Sequence, residues 1–167
     1  MLEKVQSLVV NNAARALRLP LQHLPFSLQK ISLLSSLKLV FKDSLAEGEF
    51  AFLTDKWLKI EVRDLELVWF ISYQKEELIM TDQPQQEAVS FSGDLNDLVL
   101  IAGRKEDPDT LFFQRRLKIE GDTELGLEVK NLMDSVDLQQ LPKIMQLFID
   151  QLAGFVQQGL AIKPALA

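Results

Sequence analysis

Two hydrophobic periods alternate along this chain, and each change of period marks a boundary. From Leu2 to Arg18 the apolar positions Leu2, Val5, Val9, Ala13, Ala16 and Leu17 share one face at about 100° per residue, which predicts a helix over 2–18. Lys4, Ser7, Asn11, Arg15 and Arg18 fall opposite. "LPLQHLP" predicts a break at both Pro20 and Pro25. Leu33, Leu37, Val40, Phe41 and Leu45 then form a second helical stripe, predicting a helix over 26–46 with Gly48 as its stop.

From there the period shortens to two. In "WLKIEVRD", Leu58, Ile60 and Val62 alternate with Lys59, Glu61 and Arg63, as in a strand with one buried and one wet face. Further strands are predicted at 65–73, 78–82, 88–92 and 116–120, with a hairpin turn at "KEE" (75–77) and a short extra strand at "EFAFL" (49–53). A helix capped by Asp94 should run to Ala102 with Leu95, Leu98, Val99 and Ala102 inward. Asp107-Pro108 reads as the cap and first residue of a short helical turn. Asp122 or Thr123 should cap a helix carrying Leu125, Val129, Leu132, Met133 and Val136. A last helix is predicted over 141–158. Its apolar residues cover about half the circumference, more than the arc of roughly 100° that packing on one sheet face needs. The excess suits a neighbouring helix, a partner or a cavity.

These elements predict an α+β fold. It has a single, mostly antiparallel sheet of about five strands with helices on one face around an apolar cavity, plus N-terminal helices. The division expected is residues 1–25, an amphipathic helix and proline-containing connector, followed by one domain over 26–167.

Charge changes this picture at one end. The first 42 residues carry six basic groups and one acidic, whereas the chain as a whole is at −6. A basic arm on an acidic body argues against general nucleic-acid binding and suits contact with an anionic surface; surface charge for solubility accounts for it equally well. The sequence has no cysteine, which removes disulfides, thiolate nucleophiles and zinc–thiolate sites. No apolar run approaches the roughly 18 residues of a membrane span, and Glu3 with Asn11-Asn12 spoil a signal-peptide reading. The expectation is a cytoplasmic protein, peripheral at the inner membrane if the N-terminal helix docks there.

Candidate chemistry is sparse. There is no phosphate-binding glycine loop, nucleophile elbow or metalloprotease motif. His23 is the only histidine, between two prolines. The carboxylates at Asp94/Asp97, Glu106/Asp107/Asp109 and Glu120/Asp122/Glu124 sit where turns and helix starts are predicted, so capping explains them. Arg115-Arg116 follows Phe112-Phe113. They are either surface arginines beside core aromatics or head-group contacts at the mouth of an apolar pocket, since guanidinium suits phosphate and carboxylate. No catalytic residue, cofactor or metal is expected.

The segment "VSFSGDLNDLVLIAGRKEDPDTLFFQRRLKIEGDTELGLEVKNLM", in its order of strand, capped helix, aromatic pair, Arg116-Leu117-Lys118, Gly121-Asp122 and helix, resembles the sterol carrier protein type two family. The likeness covers about Phe41 to Phe155. Arg115 stands where that family often has glycine or a small residue. More narrowly, "RKEDPDTLFFQRRLKIEGDTELGLEVKNLMD", with the upstream "WLKIEVRD", is similar to the UbiT family of accessory factors in bacterial ubiquinone biosynthesis. That resemblance implies a non-catalytic lipid-binding protein supporting oxygen-independent hydroxylation of quinone precursors, with the iron–sulfur proteins UbiU and UbiV as partners. The alternatives are a phospholipid-binding or lipid-transfer protein, or a structural adaptor with a closed core.

On this reading an apolar tail is held by Leu98, Ile101, Phe112, Phe113, Leu125, Val129 and Met133, closed over by Ile144, Phe148, Leu152 and Phe155 of the last helix. Lys4, Arg15, Arg18 and Arg115 are the expected head-group or membrane contacts.

Overall fold

The computed structural model describes residues 1–162; the last five residues of the expected domain lie outside the described part. Seven helices and five strands follow in the order α1 (Leu2–Gln22), α2 (Phe26–Val40), α3 (Lys42–Ala46), β1 (Trp57–Val62), β2 (Leu67–Gln74), β3 (Glu77–Thr81), β4 (Glu87–Gly93), α4 (Leu95–Ala102), α5 (Pro108–Phe113), β5 (Leu117–Gly121), α6 (Thr123–Ser135) and α7 (Lys143–Ala161). The strands form one sheet in the order β3-β2-β1-β4-β5. Three of its pairings are antiparallel; β1 and β4 run parallel, so the sheet is mixed. A parallel neighbour requires a crossover, and the β2–β3 hairpin supplies it by growing outward from β1 before the chain returns to β4.

Register explains why one sheet face is the core. Trp69 lies opposite Ile60, Ile71 opposite Leu58 and Met80 opposite Ile71. Phe91 lies beside Ile60 and opposite Ile119. Residues opposite one another share a face, so this period-two set stacks into one apolar surface under the helices. The other face carries polar pairs such as Lys59–Glu61 (3.4 Å). The hairpin turn falls at Lys75-Glu76, both with positive φ, the two-residue geometry that matches strand twist although neither residue is glycine.

Several expectations need correction. Helix α1 passes through Pro20, which stands in its last turn, and ends at Gln22. The helix predicted over 26–46 is broken at Phe41 into α2 and α3. "EFAFL" is a 3-10 turn rather than a strand; Gly48 at φ 75° starts it, and Phe50 and Leu53, three residues apart, both point into the core. Asp94 stands at the N-cap of α4, yet the Leu95 amide donates to Asp64 Oδ1 (2.9 Å) instead, and Ala102 is exposed rather than inward.

The N-terminal helix is packed, but on a different face from the one predicted. Val10 and Ser7 are buried, Ala14 and Leu21 lie against the core, and Leu2, Val5, Val9, Ala16 and Leu17 face solvent. Helix α1 comes so close to α7 that a Cβ on Gly159 would sit 2.5 Å from Val10. Gln6 Nε2 donates to the Phe155 carbonyl (3.0 Å).

Candidate functional site

The site is built where α5, β5 and α6 meet the sheet. Asp107 starts α5 by accepting the Thr110 amide (3.1 Å), with Pro108 at the first helical position. Leu111 is then fully buried, which fixes the direction of Phe112 and Phe113 along the rim. Arg115 turns the chain into β5 at φ 60°, a left-handed conformation that favours glycine. The departure at Arg115 noted in the sequence therefore sits at a position whose backbone suits glycine. Gly121 ends β5 at φ 110°, where a Cβ would lie 2.5 Å from the Ala88 carbonyl oxygen. Asp122 then caps α6 by accepting the Leu125 amide (3.0 Å), as expected.

A polar lattice clamps this arrangement from behind. Arg116 at the start of β5 forms an ion pair with Asp97 of α4, Nε donating to Oδ1 (3.1 Å). Asp97 is buried. Arg63, just after β1, donates to Asp94 Oδ1 (3.2 Å) and to the Arg116 carbonyl (2.8 Å). Removing one partner of such a pair leaves a carboxylate short of its charge partner in low dielectric, so these residues fix geometry rather than contact ligand. In the sequence Asp97 read as a cap; the signal that could have found the pair is the coincidence of Arg63 and Arg116 with strand ends flanking α4.

Three apolar spaces adjoin under and beside α6. An outer groove of about 340 Å³ lies between α5, β5 and α6, with Phe112, Phe113, Ile119, Leu127 and Met133 among its walls. A smaller chamber of about 170 Å³ lies between α2, the sheet and α6; its walls, including Leu37, Phe50, Ile60, Phe91, Val129 and Met133, are apolar throughout. A third, of about 250 Å³, lies between α4, α6 and α7 and includes Phe91, Leu98, Ile101, Met133 and Ile149. The walls of the apolar chamber favour an apolar occupant.

At the outer groove's mouth Lys130 of α6 and Asp109 of α5 form an ion pair (2.8 Å). Its hydrogen bond to Asp109 holds the Lys130 ammonium above the usual lysine range. Arg115 and Lys118 flank an adjoining shallow recess of about 330 Å³ beside Phe112 and Phe113. Among the described residues no cluster of His, Cys, Asp or Glu could hold a metal ion, and no helix is long and apolar enough to cross a membrane.

The structure brings together seven of the eleven expected tail contacts in and around these spaces, though not all as walls. Phe112 and Phe113 line the outer groove, Leu98 and Ile101 the third space, Val129 the apolar chamber, and Met133 all three. Leu125 is plain core against the sheet. The other four lie elsewhere. Ile144, Phe148, Leu152 and Phe155 are on the outer face of α7, Ile144 and Phe148 being 78% and 68% exposed. The wall that α7 gives the third space is Ile149. Walls missed in the sequence include Phe41, Phe91 and Ile119, which read as ordinary core. Lys4 and Arg15 are exposed, and Arg18 pairs with Glu66.

Comparison with known proteins bears on the family and the fold. Residues 34–134 match the sequence profile of the SCP-2 sterol transfer family. The chain is 48% identical over 164 residues to the ubiquinone biosynthesis accessory factor UbiT of Escherichia coli K12, covering 98% of this chain and 94% of the relative. The UbiT protein of Escherichia coli O157:H7 matches equally. Among solved structures, a UbiJ-SCP2 ubiquinone synthesis protein superposes with a TM-score of 0.53 at 16% identity, over 66% of this chain and 97% of that one; this likeness speaks to the fold.

Proposed function

This chain belongs to the SCP-2 sterol transfer family, and from that premise we propose that it is a non-catalytic accessory factor of ubiquinone biosynthesis that holds the polyprenyl tail of a quinone precursor. The observation that carries the reading is the wholly apolar chamber between sheet and α6, adjoining a groove that reaches the surface. Each buried methylene contributes about 0.8 kcal/mol, so a long isoprenoid is retained without polar recognition, and discrimination among tails of similar bulk is weak. The reactive ring stays near the groove mouth, beside Lys130 and Asp109, where another protein reaches it. Full-length similarity to UbiT supports a place in the ubiquinone pathway. The reading extends to the oxygen-independent branch, with UbiU- and UbiV-type proteins as the partners that carry out the chemistry.

A second reading, phospholipid binding or transfer, is favoured by one feature: Arg115 and Lys118 beside the aromatic rim, groups that suit a phosphate. In either case Lys4 and Arg15, exposed on α1 next to Leu8 and Val5, are the proposed contact with an anionic membrane surface.

Native mass spectrometry of the purified protein followed by organic extraction separates the readings. A co-purified prenylated phenol or quinone is the expected result. Phospholipid as the sole extract moves the assignment to the second reading. A protein that retains no lipid, and whose melting curve does not respond to added prenyl phenols, contradicts both.

A further inference from the structure

Met133 stands alone among the described wall residues in lining all three spaces. The apolar chamber and the third space also share Phe41 and Phe91. The outer groove shares only Met133 with either. Met133 is therefore the side chain at which the groove and the inner spaces adjoin.

The residue type and its backbone setting suit a neck. Methionine is unbranched, turns about three bonds and adapts to irregular apolar neighbours at low cost. Its backbone is held: Arg104 Nη2 donates to the Met133 carbonyl (3.3 Å) and to that of Val136, tying down the last turn of α6. Buried Val129 and Leu132, in the preceding turn, anchor the helix to the core. The helix is thus held while the thioether keeps the rotational freedom of an unbranched side chain.

We propose that Met133 is the neck of a branched tail channel and sets the length of isoprenoid the protein binds. The inference rests on the tail-binding reading above. With the thioether across the opening, the outer groove holds a short prenyl group by itself. With it turned aside, a longer tail continues into the chamber under α6 and on toward Ile101 and Ile149.

The test is a native mass-spectrometric titration with three probes of one head group: a geranyl, a farnesyl and a solanesyl phenol. Wild-type protein should bind the solanesyl phenol at least about tenfold tighter than the geranyl phenol, since added apolar length is buried. Met133→Trp should weaken geranyl binding less than solanesyl binding, so that the gain with length is lost. Ile101→Trp fills the far space without touching the groove. It should leave the farnesyl phenol unaffected and weaken the solanesyl phenol, and it carries the test if Met133→Trp melts far below wild type. Equal length dependence in wild type and in both well-folded variants overturns the neck. Wild-type protein that binds none of the three phenols overturns the tail-binding reading itself.

Discussion

Helices α6 and α7 are both amphipathic, but they use their apolar faces in opposite ways. Helix α6 turns Leu125, Val129 and Leu132 onto the sheet and buries them. Helix α7 buries Ala153, Val156 and Gly159 and leaves Ile144, Leu147 and Phe148 largely in solvent. The difference lies in what each helix meets. A sheet offers α6 a broad apolar surface whose gaps large side chains fill. Helix α7 meets two helices at close range, α4 at Gly103 and α1 at its own Gly159, where a Cβ on the glycine would lie 2.1 Å from Ala153 Cβ or 2.5 Å from the Val10 side chain. Close approach admits only small residues, so the large ones are turned outward. An apolar stripe on a helix shows that a face exists; the small residues beside it decide which face is covered.

The same substitution placed on both helices gives the largest contrast. Val129→Asp buries a carboxylate with no partner and should cost upward of about 4 kcal/mol, whereas Phe148→Asp on the open face should change stability by no more than about 0.5 kcal/mol. Urea unfolding midpoints measure both, and similar losses would mean that α7's outer face is covered. Glycines sharpen the comparison at intermediate scale. Gly103→Ala must push α7 off α4 and should cost about 1–3 kcal/mol. Gly154→Ala, on α7 with nothing within 4 Å of the new methyl, should gain up to about 1 kcal/mol from helix propensity. Thermal melts of the pair check the sign. The smallest effect belongs to the ion pair between α5 and α6. Because Asp109 raises the Lys130 pKa, its contribution is present in full below the ordinary lysine range and is lost as pH rises through the raised value. Asp109→Asn should therefore be slightly less stable than wild type at neutral pH, with the gap closing in strong alkali in pH-dependent melts.

Much of the fold was legible because burial here follows a simple period. Strand β3 alternates as a half-covered strand does, whereas β2 buries Trp69 to Tyr73 on both faces, and the caps at Asp107 and Asp122 act locally, so sequence alone places them. "EFAFL" misled because Phe50 and Phe52 alternate like a strand, while the spacing that matters is the three residues from Phe50 to Leu53. The Arg116–Asp97 pair was hidden because it joins residues from different elements, and only the β4–α4–β5 arrangement brings them together. The site was half legible for the same reason. Phe112, Phe113, Val129 and Met133 follow from helix periodicity and the aromatic rim, but the orientation of α7 depends on its close contacts with α4 at Gly103 and with α1 at its own Gly159, which the large apolar residues of the helix do not reveal.

The most direct test of the account asks which helix a bound tail touches. A polyprenyl phenol bearing a diazirine near the middle of its tail is bound, irradiated and mapped by peptide mass spectrometry. Adducts on Met133, Val129, Leu132 or Phe91 are predicted. Adducts confined to Ile144, Phe148 and Phe155 would place the lipid on the outer face of α7 and contradict a chamber beneath α6.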